Sequence, residues 1–177
     1  MKFKRILGKK SFDILIRYLI LLLITAFSLP LIYKIFTPLT INVSATLLNS
    51  LYEIIVSNDL IIIDSKTFIQ IIPACVAGSA YLLLLILNLT VPMEFKKRIH
   101  AILLSFLILF VLNILRIFLL SILYHNNVPY VDFTHKLFWY VLSTVFVILI
   151  WFLIVKIFSI KEVPVYTDFK YLMKKAS

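Results

Sequence analysis

Arg116 stands inside a long, mostly apolar run. An arginine at the centre of a membrane span costs about 2.5–3.5 kcal/mol on insertion scales, so one that is kept marks a functional site by default. Its chemistry is the stabilisation of an anion, whether a tetrahedral oxyanion or a lipid phosphate. Cys75 is the only cysteine of the chain and follows Pro73, a residue suited to the first turn of a helix. A helix N-terminus and a nearby cation both favour the thiolate, the nucleophilic form. His135 opens a further apolar run and can carry a proton near neutral pH. A nucleophile, a proton shuttle and an oxyanion stabiliser are the parts needed for acyl transfer. Asn113 lies one turn before Arg116 on the same helical face, placed to hold the guanidinium or donate a hydrogen bond. His125 is a rival histidine just past the run that holds Arg116.

Each residue also has a plain structural role. Ala74 with Gly78, and Cys75 with Ser79, form small-xxx-small pairs suited to close helix packing. Arg116 can pair with carbonyls or lipid phosphate, and Asn113 can make an interhelical polar contact. His135 can be a solvated or capping residue, with Asp132 and Thr134 before it as helix caps.

The elements that must position these residues are membrane spans. The chain has 177 residues, of which 63% are hydrophobic and 15% charged, with two glycines. Mean hydropathy is +1.08. These values exclude a soluble domain and a disordered chain, and one cysteine excludes a disulfide scaffold. Aromatic residues at 15% suit interfacial belts. Four runs approach the roughly 20 apolar residues that a spanning helix needs: residues 18–36, with Pro30 as a kink, then 74–91, 99–123 and 137–158. The first follows a basic stretch and lacks a small-x-small cleavage site, so it reads as an uncleaved anchor.

The net charge of +10 is a topology signal. Lys2, Lys4, Arg5, Lys9, Lys10 and Arg17 precede the first run. Lys96, Lys97 and Arg98 lie between the second and third runs. Lys156, Lys161, Lys170, Lys174 and Lys175 lie at the end of the fourth run and beyond it. Only Lys34, Lys66 and Lys136 fall on the opposite side. The positive-inside rule then makes both termini cytosolic. The fold expected is an all-α integral membrane protein, a single four-transmembrane-helix bundle over 1–177, with an outer segment at 37–73 and a cytosolic tail at 159–177. In the outer segment, Val43, Leu47, Leu48, Leu51, Ile54 and Ile55 share one helical face, which predicts an outer amphipathic helix. Runs 60–63 and 67–72 are rich in β-formers, and Asp64-Ser65-Lys66 between them predicts a small hairpin.

This topology brings Cys75, Arg116 and His135 to one depth, near the outer face, and leaves His100 on the cytosolic side. One cysteine and three scattered histidines lack ligand spacing, so no metal site is expected, and no cofactor-binding motif is present. The basic segments lie at membrane boundaries, which suits anionic lipids at the cytosolic face as partners and not nucleic acid.

With these residues in place the chain resembles the exosortase/archaeosortase family, as a short, archaeal-type member. Residues 73–79, Pro-Ala-Cys-Val-Ala-Gly-Ser, look like its cysteine motif. Asn113-Ile114-Leu115-Arg116 resembles its Asn-x-x-Arg motif, and His135 matches its third catalytic position. The order and spacing agree from about residue 15 to 158. The resemblance implies a membrane-embedded cysteine transpeptidase of the plasma membrane, with an outward-facing active site. Its substrates would be exported membrane proteins that end in a short motif, a transmembrane helix and a basic cluster. It would cleave at the motif and transfer the new carboxyl end to an acceptor, a lipid in archaeal members. Cys75 would be the nucleophile, Arg116 the oxyanion stabiliser and His135 the proton shuttle. Two other readings stay open: an intramembrane cysteine protease without transfer, and a non-catalytic scaffold or transporter subunit in which Arg116 grips an anionic head group.

Overall fold

The computed structural model describes residues 9–91, 93–129 and 143–160. The chain opens with one 40-residue helix, α1 (Lys9–Leu48), which contains both Pro30 and Pro38. Leu19, Leu23, Phe27, Leu31, Ile35 and Leu39 form an exposed stripe along it at four-residue spacing. At 1.5 Å per residue that stripe is about 30 Å long, the thickness of a bilayer's hydrocarbon core. The helix continues about a dozen residues past the end expected for the first span.

The outer amphipathic helix is not a separate element. Residues 42–48 are the last turns of α1, and residues 54–57 are a strand. Ile54-Ile55-Val56 is a β-branched run that finds a strand partner, and a short apolar run reads equally well with either period. The buried face also differs from the expected one. Ile41, Ala45 and Leu48 are buried, whereas Leu47 and Leu51 are exposed.

Three strands follow, β1 (Ile54–Ser57), β2 (Leu60–Ile63) and β3 (Thr67–Gln70). They form an antiparallel sheet in the order β1-β2-β3. The expected hairpin is present as β2–β3, with Ile61 opposite Ile69 and Ile63 opposite Thr67. Its turn places Asp64 and Ser65 at φ of 50° and 56°, and the Lys66 amide donates to the Ile63 carbonyl at 3.0 Å. Strand β1 adds a partner that the sequence reading lacks. One face of the sheet packs on the end of α1. Ile61, Ile63 and Ile71 form a core with Ile41, Ala45, Leu48, Val76 and Ile117.

The remaining helices are α2 (Pro73–Val76), α3 (Gly78–Thr90), α4 (Phe95–His125) and α5 (Ser143–Ile157). The continuous second span expected over 74–91 is broken at Ala77, which takes left-handed angles of φ 60° and ψ 36°. Helix α4 is longer than expected, at 31 residues. Part of the fourth expected span, residues 137–142, lies outside the described residues. Residues Phe27–Leu48 of α1 and the whole of α4 are long and apolar enough to cross a membrane, and α3 and α5 are shorter apolar helices. Leu103, Leu107, Val111, Leu115 and Leu119 form an exposed stripe on α4. The opposite face of α4 carries buried Leu109, Asn113, Arg116 and Ile117. A second core joins the helices through Ile32, Tyr81, Leu84, Leu109, Val147 and Ile150.

Candidate active site

Pro73 fixes φ at the start of α2 and has no amide hydrogen to leave unpaired, which suits the first turn of a helix. The Cys75 amide donates to the Ile72 carbonyl at 2.8 Å, closing the turn. Ala77 then ends the turn by turning left-handed, a conformation that costs an L-residue roughly 1–2 kcal/mol. The result is a separate one-turn helix holding Cys75, joined to α3 by one residue. Cys75 itself is half-buried.

The main-chain carbonyl of this cysteine is where the site is assembled. Asn113 Nδ2 donates to the Cys75 carbonyl at 2.8 Å, and Arg116 Nη2 donates to the same oxygen at 3.1 Å. A carbonyl oxygen has two lone pairs and accepts both. The three-residue spacing puts both donors on one face of α4. Arg116 Nη1 donates in addition to Ser143 Oγ at 3.0 Å, at the start of α5. Arg116 is 8% exposed. A guanidinium carries five N–H donors, so these two bonds do not exhaust it.

Three of the four predicted site residues therefore meet. Asn113 does not hold the guanidinium; it shares an acceptor with it. Arg116 does pair with a carbonyl, and that carbonyl belongs to the candidate nucleophile. His135, with Asp132 and Thr134, lies outside the described residues. His125 is engaged elsewhere. Its Nδ1 is 3.0 Å from Thr67 Oγ1, its Nε2 is 3.3 Å from Asp64 Oδ2, and its ring lies 4.6 Å from that of Tyr52. It ties the end of α4 to the β2–β3 turn. It is nine residues beyond Arg116, about 13 Å along the helix.

Gly78 has a packing role, and its partner is Tyr33 of α1, whose ring lies against it. The Ala74/Gly78 pair is not one continuous helical face, because Ala77 breaks the helix between them. Two cavities flank the α2 turn. One of about 290 Å³ lies between β3 and α4 and has Cys75 and Arg116 in its wall. The other, about 550 Å³, is lined by Tyr33, Pro73, Ala74, Gly78, Ser143 and Val147 among the described residues. No cluster of metal-ligating side chains occurs among the described residues.

This arrangement sets the cysteine of α2 against a buried cation and an amide donor, both carried by α4. Residues 5–154 match the family model described as transmembrane exosortase. The chain belongs to the transmembrane exosortase family. It is thus a membrane protein and, at the level of the family, a sorting-related enzyme of peptidase or transpeptidase type. No curated protein and no solved structure matches the sequence. In this exosortase-family chain, sequence reasoning missed Ser143 and Tyr33. A serine in an apolar run and a tyrosine near a span end are ordinary residues, and only the packing of α1, α3, α4 and α5 gives them partners.

Proposed function

We propose that the protein is a cysteine transpeptidase that cleaves a C-terminal sorting signal of exported membrane proteins and transfers the new carboxyl end to an acceptor, a lipid. The observation that carries this reading is the convergence of Asn113 and Arg116 on the carbonyl of Cys75. It draws both ends of the Asn-x-x-Arg motif onto the cysteine motif. In this mechanism the Cys75 thiolate attacks the scissile carbonyl. Arg116 stabilises the oxyanion that forms, a role whose loss typically costs about 2.7–4 kcal/mol of transition-state stabilisation in other enzymes. His135 protonates the leaving amine, and a thioester to Cys75 remains. The acceptor hydroxyl or amine gives its proton to His135 and attacks the thioester, and the Cys75 thiolate leaves. Asn113 positions the α2 turn through the Cys75 carbonyl.

The reading places four spans in the plasma membrane, both termini in the cytosol, and the α2 turn with its sheet on the outer side. The charge split and the exposed apolar stripes of α1 and α4 support it. The substrate's own transmembrane helix lies beside the bundle, and the basic segments face anionic lipids. The 550 Å³ cavity beyond the α2 turn is within the size range of small-molecule sites and suits the acceptor.

The test is processing of a reporter bearing such a signal in cells carrying Cys75→Ala, Arg116→Ala or His135→Ala. Each variant should accumulate uncut reporter, and the normal product should carry a lipid mass at its new carboxyl end. Normal processing by Cys75→Ala would end the cysteine mechanism. A product with a free carboxylate would leave a protease without transfer. Silence of Cys75→Ser together with loss in Arg116→Ala would favour a non-catalytic lipid-binding role.

A further inference from the structure

β3 is an edge strand of the sheet among the described residues. Which of its backbone groups point outward follows from the register. The Ile71 amide donates to the Asp59 carbonyl at 2.8 Å, so Asp59 and Ile71 are a hydrogen-bonded pair. In an antiparallel ladder such pairs alternate with pairs that exchange no bonds. Ile61 with Ile69 and Ile63 with Thr67 are then bonded pairs, while Leu60 with Gln70 and Ile62 with Phe68 are not. The other side of β2 agrees. The Asp64 amide donates to Glu53 at 2.9 Å, which directs Leu60 and Ile62 toward β1. The N–H and C=O groups of Phe68 and Gln70 therefore point away from β2, along the free edge.

That edge does not open onto plain solvent. Phe68, Gln70, Cys75, Arg116, Leu120 and Tyr124 are among the residues around the 290 Å³ cavity between β3 and α4. From Arg116 to Tyr124 is eight residues of helix, about 12 Å. At about 3.3 Å per residue, that length holds three to four residues of extended chain. The cavity has apolar walls at Ile117 and Leu120 and a line of backbone donors and acceptors at strand spacing, and the candidate nucleophile stands in its wall. An edge with these features is a ready template for strand addition.

We infer that the peptide flanking the scissile bond binds as a fourth strand on the free edge of β3, inside the cavity between β3 and α4. Backbone pairing to Phe68 and Gln70 sets the register, so the scissile carbonyl comes to rest at Cys75. Recognition is then largely main-chain, with alternate side chains of the peptide facing Ile117 and Leu120. The inference rests on the peptide-cleaving reading of the site.

The test uses the whole chain in nanodiscs and its single thiol. The probes are an acetylated tetrapeptide chloromethyl ketone of alanine and leucine, four versions of it each N-methylated at one amide, a lauroyl chloromethyl ketone, and iodoacetamide as reference. In the ketone reaction Sγ displaces chloride, forming a thioether and releasing HCl. Rates are divided by those with free cysteine. The tetrapeptide should label Cys75 at least about tenfold faster than iodoacetamide. N-methylation should slow it about fivefold at alternate amides and little at the others, the loss expected of one hydrogen bond. Phe68→Pro, which removes an outward N–H that the sheet does not use, should lower the tetrapeptide rate relative to iodoacetamide by a similar factor, and Phe68→Ala by less. Equal slowing at every amide, or at none, overturns the inference, as does faster labelling by the lauroyl reagent, which would make the cavity a lipid-chain site. If Phe68→Pro does not fold, the N-methyl series on the unaltered chain decides. Failure of the catalytic reading has a separate signature: iodoacetamide labelling that is indifferent to Arg116→Ala, whatever the N-methyl pattern.

Discussion

The contact between Tyr33 and Gly78 fastens α1 to the first turn of α3, three residues beyond Cys75, and it makes a prediction with a change of sign. A methyl group built on Gly78 would stand 2.7 Å from Tyr33 Cε1 and 2.8 Å from its Oη. Carbon atoms in contact sit about 3.5–4.0 Å apart. In Gly78→Ala, therefore, the ring must withdraw by about 1 Å or the two helices must separate. Overpacking of this kind costs about 1–3 kcal/mol. Alanine regains at most about 0.5–1 kcal/mol over glycine within a helix, so the net change is a loss of up to about 2.5 kcal/mol. In a Tyr33→Ala background the obstacle is absent, and Gly78→Ala should stabilise. The coupling energy from the double-mutant cycle should then be about 1–3 kcal/mol. Reversible unfolding of the four proteins in mixed detergent micelles measures it. The same destabilisation by Gly78→Ala in both backgrounds would refute the contact, and so would stabilisation in the unaltered one.

Other expectations follow from the same geometry. Ala77→Gly should raise stability by up to about 1 kcal/mol in the same unfolding assay, because glycine takes the left-handed angles without steric cost; a loss would show that the alanine methyl is needed for packing. Asn113→Ala should remove one of two bonds to the Cys75 carbonyl and cost about 1 kcal/mol, and Arg116→Ala should cost more because its bonds are charged; equal effects would mean that the charge contributes nothing. His125→Ala should loosen the tie between α4 and the β2–β3 turn, seen as faster amide hydrogen exchange at residues 60–70, while exchange in α3 stays unchanged. Ser143→Ala should weaken the hold of α5 on Arg116 and partly mimic Arg116→Ala in reporter processing; full processing would make that bond incidental.

The helices were legible because their apolar runs are long and the charges within them are few. That Arg116 and Asn113 would need polar partners was legible for a related reason: polar groups inside an apolar environment must find partners, and few were on offer. The β2–β3 hairpin was readable from its β-branched runs and its Asp64-Ser65-Lys66 turn. Segment 42–57 misled because its apolar residues fit a helical face through residue 48 and a strand after residue 53, and periodicity in so short a stretch does not mark the change. The break at Ala77 carried no signal, since alanine is the strongest helix former and glycine, the usual residue for that conformation, stands one position later. The double use of one carbonyl by Asn113 and Arg116 also escaped the sequence, which shows which residues can donate and not which main-chain oxygen receives them.

The joint at Ala77 has a consequence for how the protein meets membranes of different thickness. Helices respond to a thicker or thinner bilayer by changing tilt. A cysteine on an unbroken span would swing with that tilt. Here the turn carrying Cys75 is referenced to α4 through Asn113 and Arg116, and α3 begins only after a one-residue pivot. A change in the lean of α3 should be taken up at the pivot, with the turn of Cys75 keeping its place relative to the guanidinium. The candidate site should thereby be insulated from bilayer mechanics while the bundle around it adjusts.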